Sequence, residues 1–364
     1  MALVAFGVSL FPIQCNGDSD DADIGSLWTR TFDFRTGAGY KDNVLLGHYQ
    51  KEGSGFWFGG VDIFILRIPV DGTQVSLFLS ADDKRYFSTP AIDHEDLALL
   101  NFEVKRDLTH GWNAGAGVQY LYQDQLFDTS ISETNREVIP VVGHAFQLTP
   151  FVRKDLPGRF FVEGRLQMLR QYLQQPLDDY WQGGAKGIVG RQFGYASEVA
   201  ISYEYHQLRY DSRLAVDFEA RSLPDRVLAE GQQEGEFSLK YYWDPARKWR
   251  TWTRLGYQEN RDNGGGFFDY RRYAASQQLL FKEGRWELQT GVRWRYYDYL
   301  VQKVDFNNSN HRRLTLIDSN IRLEVKLGKS WKQFSEFEHE SSISRQLLDD
   351  FQVNTISTGV EFEF

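Results

Sequence analysis

Charged side chains recur at every second position in this chain, and those are the residues that could do chemistry. Glu287, Arg293 and Arg295 fall on one face of residues 286–297. Arg250 and Arg254 do so in 249–258, and Arg322, Glu324 and Lys326 in 317–327. Glu163 and Arg165 share a face in 160–172, Glu236 and Lys240 in 236–243, and Glu204 adds a further acid. A period of two is the signature of a β-strand, whose successive side chains point to opposite faces. Rows of charge on one face could line a water-filled passage and bias which ions enter it. They could equally be Arg–Glu ladders that satisfy one another. Arg250, Arg254, Arg293, Arg295, Arg322 and Lys326 lie on neighbouring segments and imply a wall with excess positive charge. Opposing acids are expected from Glu163, Glu204 and Glu236, and from Asp211, Asp217 and Glu219 in a polar stretch, 211–234, long enough to fold inward as a loop.

Other chemistry has little to stand on. The seven histidines are scattered without metal-ligand spacing, so no metal and no cofactor is expected. No nucleophile elbow or Walker loop occurs. The run Asn263-Gly264-Gly265-Gly266 is read as a loop tip, because no helix follows it to make a phosphate cradle. No catalytic residue is assigned. A formal charge of −9 argues against a nucleic-acid partner, and a single cysteine excludes a disulfide framework within the chain.

The elements that carry these residues have a second, apolar face. Trp112, Ala114, Ala116, Val118, Tyr120 and Tyr122 oppose Asn113, Gly115, Gly117, Gln119 and Gln123. Trp286, Leu288, Val292, Trp294 and Tyr296 oppose the charges of their own segment. Residues 331–340 alternate least cleanly, with Phe334 among acids. Tight turns with Gly or Pro fall at 70–73, 108–111, 155–158, 192–194, 244–247, 282–285 and 328–330. Longer polar segments alternate with them, at 41–55, 88–94, 124–137, 174–178, 211–234, 260–266, 303–310 and 342–350. Such alternation predicts an all-β, antiparallel, up-and-down transmembrane barrel of about 16 strands, with short periplasmic turns and longer extracellular loops. Eight units of roughly 40 residues consume about 320 residues, so 27–364 is read as one barrel domain. A mean hydropathy of −0.49 beside 15% aromatic residues fits, since lipid-facing and lumen-facing residues cancel in any window. No run of eighteen apolar residues is present to supply a membrane helix.

Trp112, Phe160, Tyr195, Trp243, Trp249, Phe281, Trp286 and Trp331 each lie within a few residues of a tight turn. They are expected to form an aromatic girdle at the headgroup level. Residues 1–26 hold a signal-like apolar segment, 1–13, and the acidic stretch 18–23. Cys15 invites a lipoprotein reading, but Gln14 stands where such sites need a small residue.

Two short motifs carry a family likeness. Ile356, Thr358, Val360, Phe362 and Phe364 form one face of the last ten residues. This resembles the terminal strand of Gram-negative outer-membrane barrels, whose aromatic signal is read by the barrel assembly machinery. Gly39-Tyr40-Lys41-Asp42-Asn43 resembles the Gly-Tyr-Asp-x-Asn-like element of the putative β-barrel porin families, with Lys41 where an acid is usual. The resemblance implies a barrel in the outer membrane of a Gram-negative bacterium, in contact with lipid and lipopolysaccharide. It further implies a porin-like channel for passive diffusion of small hydrophilic solutes or ions, with homo-oligomerisation open. The alternatives are an export barrel, for polysaccharide as an example, with a periplasmic partner, and a barrel enzyme. If Phe364 belongs to an assembly signal, Phe364→Ala will lower the amount of heat-modifiable barrel in outer-membrane fractions. Wild-type amounts would remove that role.

Overall fold

The computed structural model describes residues 27–48, 51–69, 71–89, 92–128, 138–305, 308–344 and 349–364. The segment 1–26, with Cys15, lies outside them, as does much of 124–137. Eight hairpins make up the fold. They are β1 (Trp28–Lys41) with β2 (Ser54–Arg67), β3 (Thr73–Tyr86) with β4 (His94–Asp107), and β5 (Trp112–Asp128) with β6 (Val138–Leu156). Next come β7 (Phe160–Leu173) with β8 (Tyr180–Phe193), and β9 (Ser197–Val216) with β10 (Ser222–Tyr242). The last are β11 (Trp249–Asp262) with β12 (Tyr270–Glu283), β13 (Trp286–Asp305) with β14 (Asn308–Lys326), and β15 (Trp331–Ser344) with β16 (Phe351–Glu363). Each strand pairs with its sequence neighbours, and β1 pairs with β16, so the sheet closes as a barrel. The strand count and the antiparallel up-and-down order are those expected from the sequence.

All seven tight turns are present. Gly72, Gly111, Gly158, Gly194 and Gly284 occupy them at positive φ, a region that costs a side chain energy. Trp112, Phe160, Tyr195, Trp243, Trp249, Trp286 and Trp331 are exposed on the outer surface at this end. Phe281 joins them, packed at a tilt on Trp249 at 4.1 Å.

The outer face is an apolar band with charge at both edges. On β4 it runs from Arg106 through Val104, Phe102, Leu100 and Ala98 to Asp96. Ten residues at a rise of about 3.3 Å, tilted by about 40°, span about 25 Å. That is the height of a lipid-facing barrel band, within which an Arg or Lys would cost about 2–4 kcal/mol. Strand β15 obeys the same rule despite its mixed sequence. Lys332, Phe334, Glu336, Glu338 and Glu340 all turn inward, and Trp331, Phe337 and Ile343 are exposed outside.

Phe334 is inside because a glycine makes room for it. A Cβ on Gly359 would lie 2.7 Å from the Phe334 ring and 2.4 Å from the Thr36 carbonyl. Gly39 receives Phe56, Gly115 receives Phe151 and Gly190 receives Phe161 in the same way. A cation then lies over each ring: Arg322 on Phe334 at 4.0 Å, Arg153 on Phe161 at 3.8 Å, Lys84 on Phe56 at 5.0 Å and Arg165 on Phe151 at 5.4 Å. Glycine, ring and cation are thus layered flat against the inner wall.

One long loop expected from the sequence is absent. Residues 211–234 belong mostly to β9 and β10, which continue beyond the barrel wall as a hairpin turning at 217–221. The Asp217 carboxylate accepts from the backbone N–H groups of Glu219 (2.8 Å) and Arg221 (3.0 Å) and from the Arg221 guanidinium (2.8 Å). The Arg221 backbone bond is the largest of the causes that hold the Asp217 carboxyl below the usual carboxylate range. Polar composition concealed the strand because its polar residues outnumber Ala215, Val216, Val227 and Leu228, which pack into the mouth. The layered wall is testable. Gly359→Ala is expected to destabilise the barrel by about 1–3 kcal/mol through overpacking. Gly187→Ala, where a Cβ meets nothing within 4 Å, should stay within about 0.5 kcal/mol of wild type. Urea unfolding of barrels refolded into vesicles measures both.

Candidate functional site

The site is the lumen, and its geometry starts at the seam. Asp42 and Asn43, from the Gly39–Asn43 motif, stitch β1 to β16 at the long-loop end. Asp42 accepts from the Asn354 backbone N–H (2.8 Å) and side-chain amide (2.7 Å). Asn43, fully buried, donates to the carbonyls of Gln352 (3.1 Å) and Gly47 (2.8 Å). At the opposite end Phe364 stacks on Phe32 (5.3 Å) and Phe34 (5.8 Å), while Phe362 packs on Trp331 (4.8 Å). Val360 pairs with Thr36 between them.

The pairing registers place every candidate lumen residue on the inward face. Most are held in ion pairs. Glu163 lies between Arg165 and Arg153. Glu204 bonds Lys186 at 3.2 Å and His206 at 3.3 Å, and His206 reaches Gln232 at 2.6 Å. Glu287 meets Lys282 at 3.7 Å, and Arg295 donates to Asp318 at 2.7 Å. Arg322 is caged by Glu324 (2.6 Å), Glu361 (3.2 Å) and Glu336 (3.3 Å). Lys240 lies over the Tyr242 ring at 5.4 Å. Lys326 is exposed at the short-turn rim.

The expected wall of positive charge is therefore narrower than the sequence implied. It comprises Arg250 and Arg254 on β11 and Arg293 on β13, since Arg272 is paired with Glu234 at 3.1 Å and Lys282 with Glu287. Arg322 is not part of it, because three acids surround it. The expected opposing acids also shift. Asp211 bonds Arg170 on the outer surface at 2.8 Å and 2.5 Å, and Asp217 and Glu219 bind Arg221 in the hairpin turn. The acids that share the lumen with the Arg wall include Glu236 on β10, beside Arg254, and Glu336, Glu338 and Glu340 on β15, while Glu163 and Glu204 are held in their own ion pairs.

The first four strands supply residues not foreseen. Arg35 binds Asp62 and Asp82, reaching Asp82 at 2.6 Å and 2.7 Å. Glu95 lies between Lys41 and Lys84, 3.4 Å from each. Alternation of Asp33, Arg35 and Lys41 with Phe32, Phe34 and Tyr40 was a usable signal for the first of these groups.

Above this level the mouth is packed on one side. Leu208, Leu228 and Ala215 are fully buried, with Tyr180, Tyr210, Val216 and Phe268 in one apolar cluster. The glycine run 264–266 lets the hairpin approach. Gly265 donates to the Val216 carbonyl at 2.7 Å, and a Cβ on Gly264 would lie 2.3 Å from that same oxygen. Asp262 holds the loop by accepting from the N–H groups of Gly264, Gly266 and Phe268 at 2.7–2.9 Å. Gln302 donates to the Phe267 carbonyl (2.9 Å) and accepts from Arg312 (3.2 Å). Arg312 in turn donates to Asp349 at 2.8 Å, both side chains being fully buried. One buried pair thus ties three extracellular connections together.

A closed sixteen-stranded antiparallel barrel with an apolar outer band and a charged interior is a transmembrane barrel of the porin type. Solved structures are similar to this chain. OccK9 (OpdG) of Pseudomonas aeruginosa superposes with a TM-score of 0.50 at 9% identity, over 93% of this chain and 98% of that one. OccAB3 of Acinetobacter baumannii gives 0.47 at 9% identity (92% and 98% covered). An anion-selective porin from Comamonas acidovorans gives 0.46 at 10% identity (93% and 99% covered). No protein-family model and no curated protein matches the sequence.

Breaking the buried latch has a defined cost. Arg312→Met is expected to destabilise the extracellular end by about 3–5 kcal/mol, because Asp349 is left as an uncompensated buried charge. Arg312→Met with Asp349→Leu should recover most of that loss. Hydrogen exchange of the 298–316 backbone in both variants reads the difference.

Proposed function

We propose that the chain is a passive channel in the outer membrane of a Gram-negative bacterium, admitting small hydrophilic solutes and ions. The observation that carries this reading is the closed barrel whose inward face is charged on nearly every strand, around a lumen cavity of about 360 Å³. Sixteen strands enclose enough width for water, and charge in a water-filled lumen is stable where charge facing lipid is not. The aromatic ring at the short-turn end supports seating at the periplasmic interface. At the other end outward Arg85, Asp83, Asp96 and Asp124 lie at headgroup level, where lipid and lipopolysaccharide would meet them.

Selectivity follows from the two walls. Cations on β11–β13 favour anions, and the acids of β15 oppose them, so the net preference is modest. Single-channel recording of refolded protein in planar bilayers tests the proposal, and absence of ion conductance would reject it. Under a salt gradient, Arg293→Glu is expected to move the reversal potential toward cation preference. The shift should shrink as salt rises, because the Debye length falls from about 10 Å at 0.1 M to about 3 Å at 1 M.

A further inference from the structure

Most charged groups inside the barrel have a partner of opposite sign among the described residues, and four that do not, Arg254, Arg293, Glu338 and Glu340, lie near one another. Arg254, Ser276 and Arg293 lie side by side on one row across β11, β12 and β13. The row continues through Asp318 on β14 to Glu340 on β15. Among the described residues Arg293 has no hydrogen bond, ion pair or ring contact, and Arg254 has the Trp252 ring, at 3.7 Å, and the charge of Glu236 near it but no hydrogen bond or ion pair. Asp318 does not neutralise Arg293, because Arg295 holds it at 2.7 Å. Glu338 and Glu340, both inward on β15, likewise have no bonded partner among the described residues. The nearest lysines, Lys41 and Lys84, are engaged by Glu95. Arg293, Ser276, Glu338 and Glu340 all line the same cavity of about 360 Å³.

We propose that this cavity is a subsite for zwitterionic solutes, with Arg293 and the Ser276 hydroxyl, and Arg254 next to them on the same row at the cavity's edge, taking a carboxylate and Glu338 and Glu340 taking an ammonium group. The proposal rests on the channel reading and names its solute class. Two adjacent guanidinium groups repel each other, and so do two carboxylates two residues apart on one strand. A ligand with both charges relieves both repulsions. The spacing is suited to it. Arg293 and Glu340 are separated by two strand intervals, about 10 Å between backbones, and their long side chains narrow the gap toward the dimensions of an amino acid or short peptide. A neutral sugar offers neither charge, and a simple carboxylate leaves the glutamates facing each other. The pinned cations elsewhere in the wall, such as Arg153 and Arg322, cannot substitute, because ring and acid already hold them.

The test uses the full chain refolded into vesicles, with serine, acetate and glycerol as probes. Serine is expected to enter faster than expected from its size relative to glycerol, by about two- to fivefold, the range for partly exposed charge contacts. That preference should vanish in Arg254→Gln/Arg293→Gln and in Glu338→Gln/Glu340→Gln, while potassium chloride conductance persists in both. A serine preference unchanged in either pair overturns the subsite. An acetate preference equal to that for serine, insensitive to the glutamate pair, makes it an anion site and also overturns the proposal. Calorimetric titration of serine into detergent-solubilised protein separates this from the channel reading. Binding lost in the double variants, without conductance in the wild type, would reject the channel and keep the subsite, and absence of heat would reject the subsite.

Discussion

Closure of the sheet between β1 and β16 is the constraint on which everything else depends. In lipid an unpaired backbone N–H or carbonyl has no water to turn to, so an open strand edge is excluded. The chain meets this demand where its two ends come together. Residues Asp33–Lys41 pair with Thr355–Glu363, Asp42 and Asn43 staple the upper end, and Phe364 stacks on Phe32 and Phe34 at the lower end. The short motif at the end of β1 thereby acquires a mechanical meaning. Its Gly39 admits the Phe56 ring, and its polar residues cap the last pair of strands.

Once the sheet is closed, the bilayer sorts the side chains. Apolar groups face out over about 25 Å, and charge is confined to the lumen and the two rims. Inside, the problem is to keep many charges from either collapsing together or plugging the passage. Layering solves part of it. A glycine on one strand lets a ring from the next lie flat, and a cation lies flat on the ring. Arg322 on Phe334 on Gly359 is the fullest example, with three acids around the guanidinium. Such cations are structural; among the described residues Arg293 has no bonded acid or ring, and Arg254 lies on the Trp252 ring without a bonded acid.

The mouth is built by a different principle. There the β9–β10 hairpin and the loop after β11 bury apolar side chains against one another, as a soluble domain would. The Arg312–Asp349 pair, which joins β14 to the segment before β16 and reaches the loop after β11 through Gln302, is costly to bury and more costly to break. It sets the mutual positions of three connections rather than adding net stability.

The alternation of apolar and polar residues determined a good deal without any structure. It specified strand number, the inward face of Trp286–Asp305 and its neighbours, the tight turns and the outward aromatics, because a period of two and a bilayer leave few arrangements. Partner choice was decided only by the tertiary structure. Arg322 and Arg293 look alike in sequence, yet one is surrounded by acids from β14, β15 and β16 and the other faces only Asp318, which Arg295 holds, because side-chain pairing depends on interstrand register. Residues 211–234 looked like a loop because polar residues interrupt the alternation, and the burial of Ala215, Val216 and Leu228 against other connections appears only on folding. The role of Gly264 and Gly265 was equally hidden. It lies in the close approach of Val216, some fifty residues earlier in the chain, and only folding brings the two together.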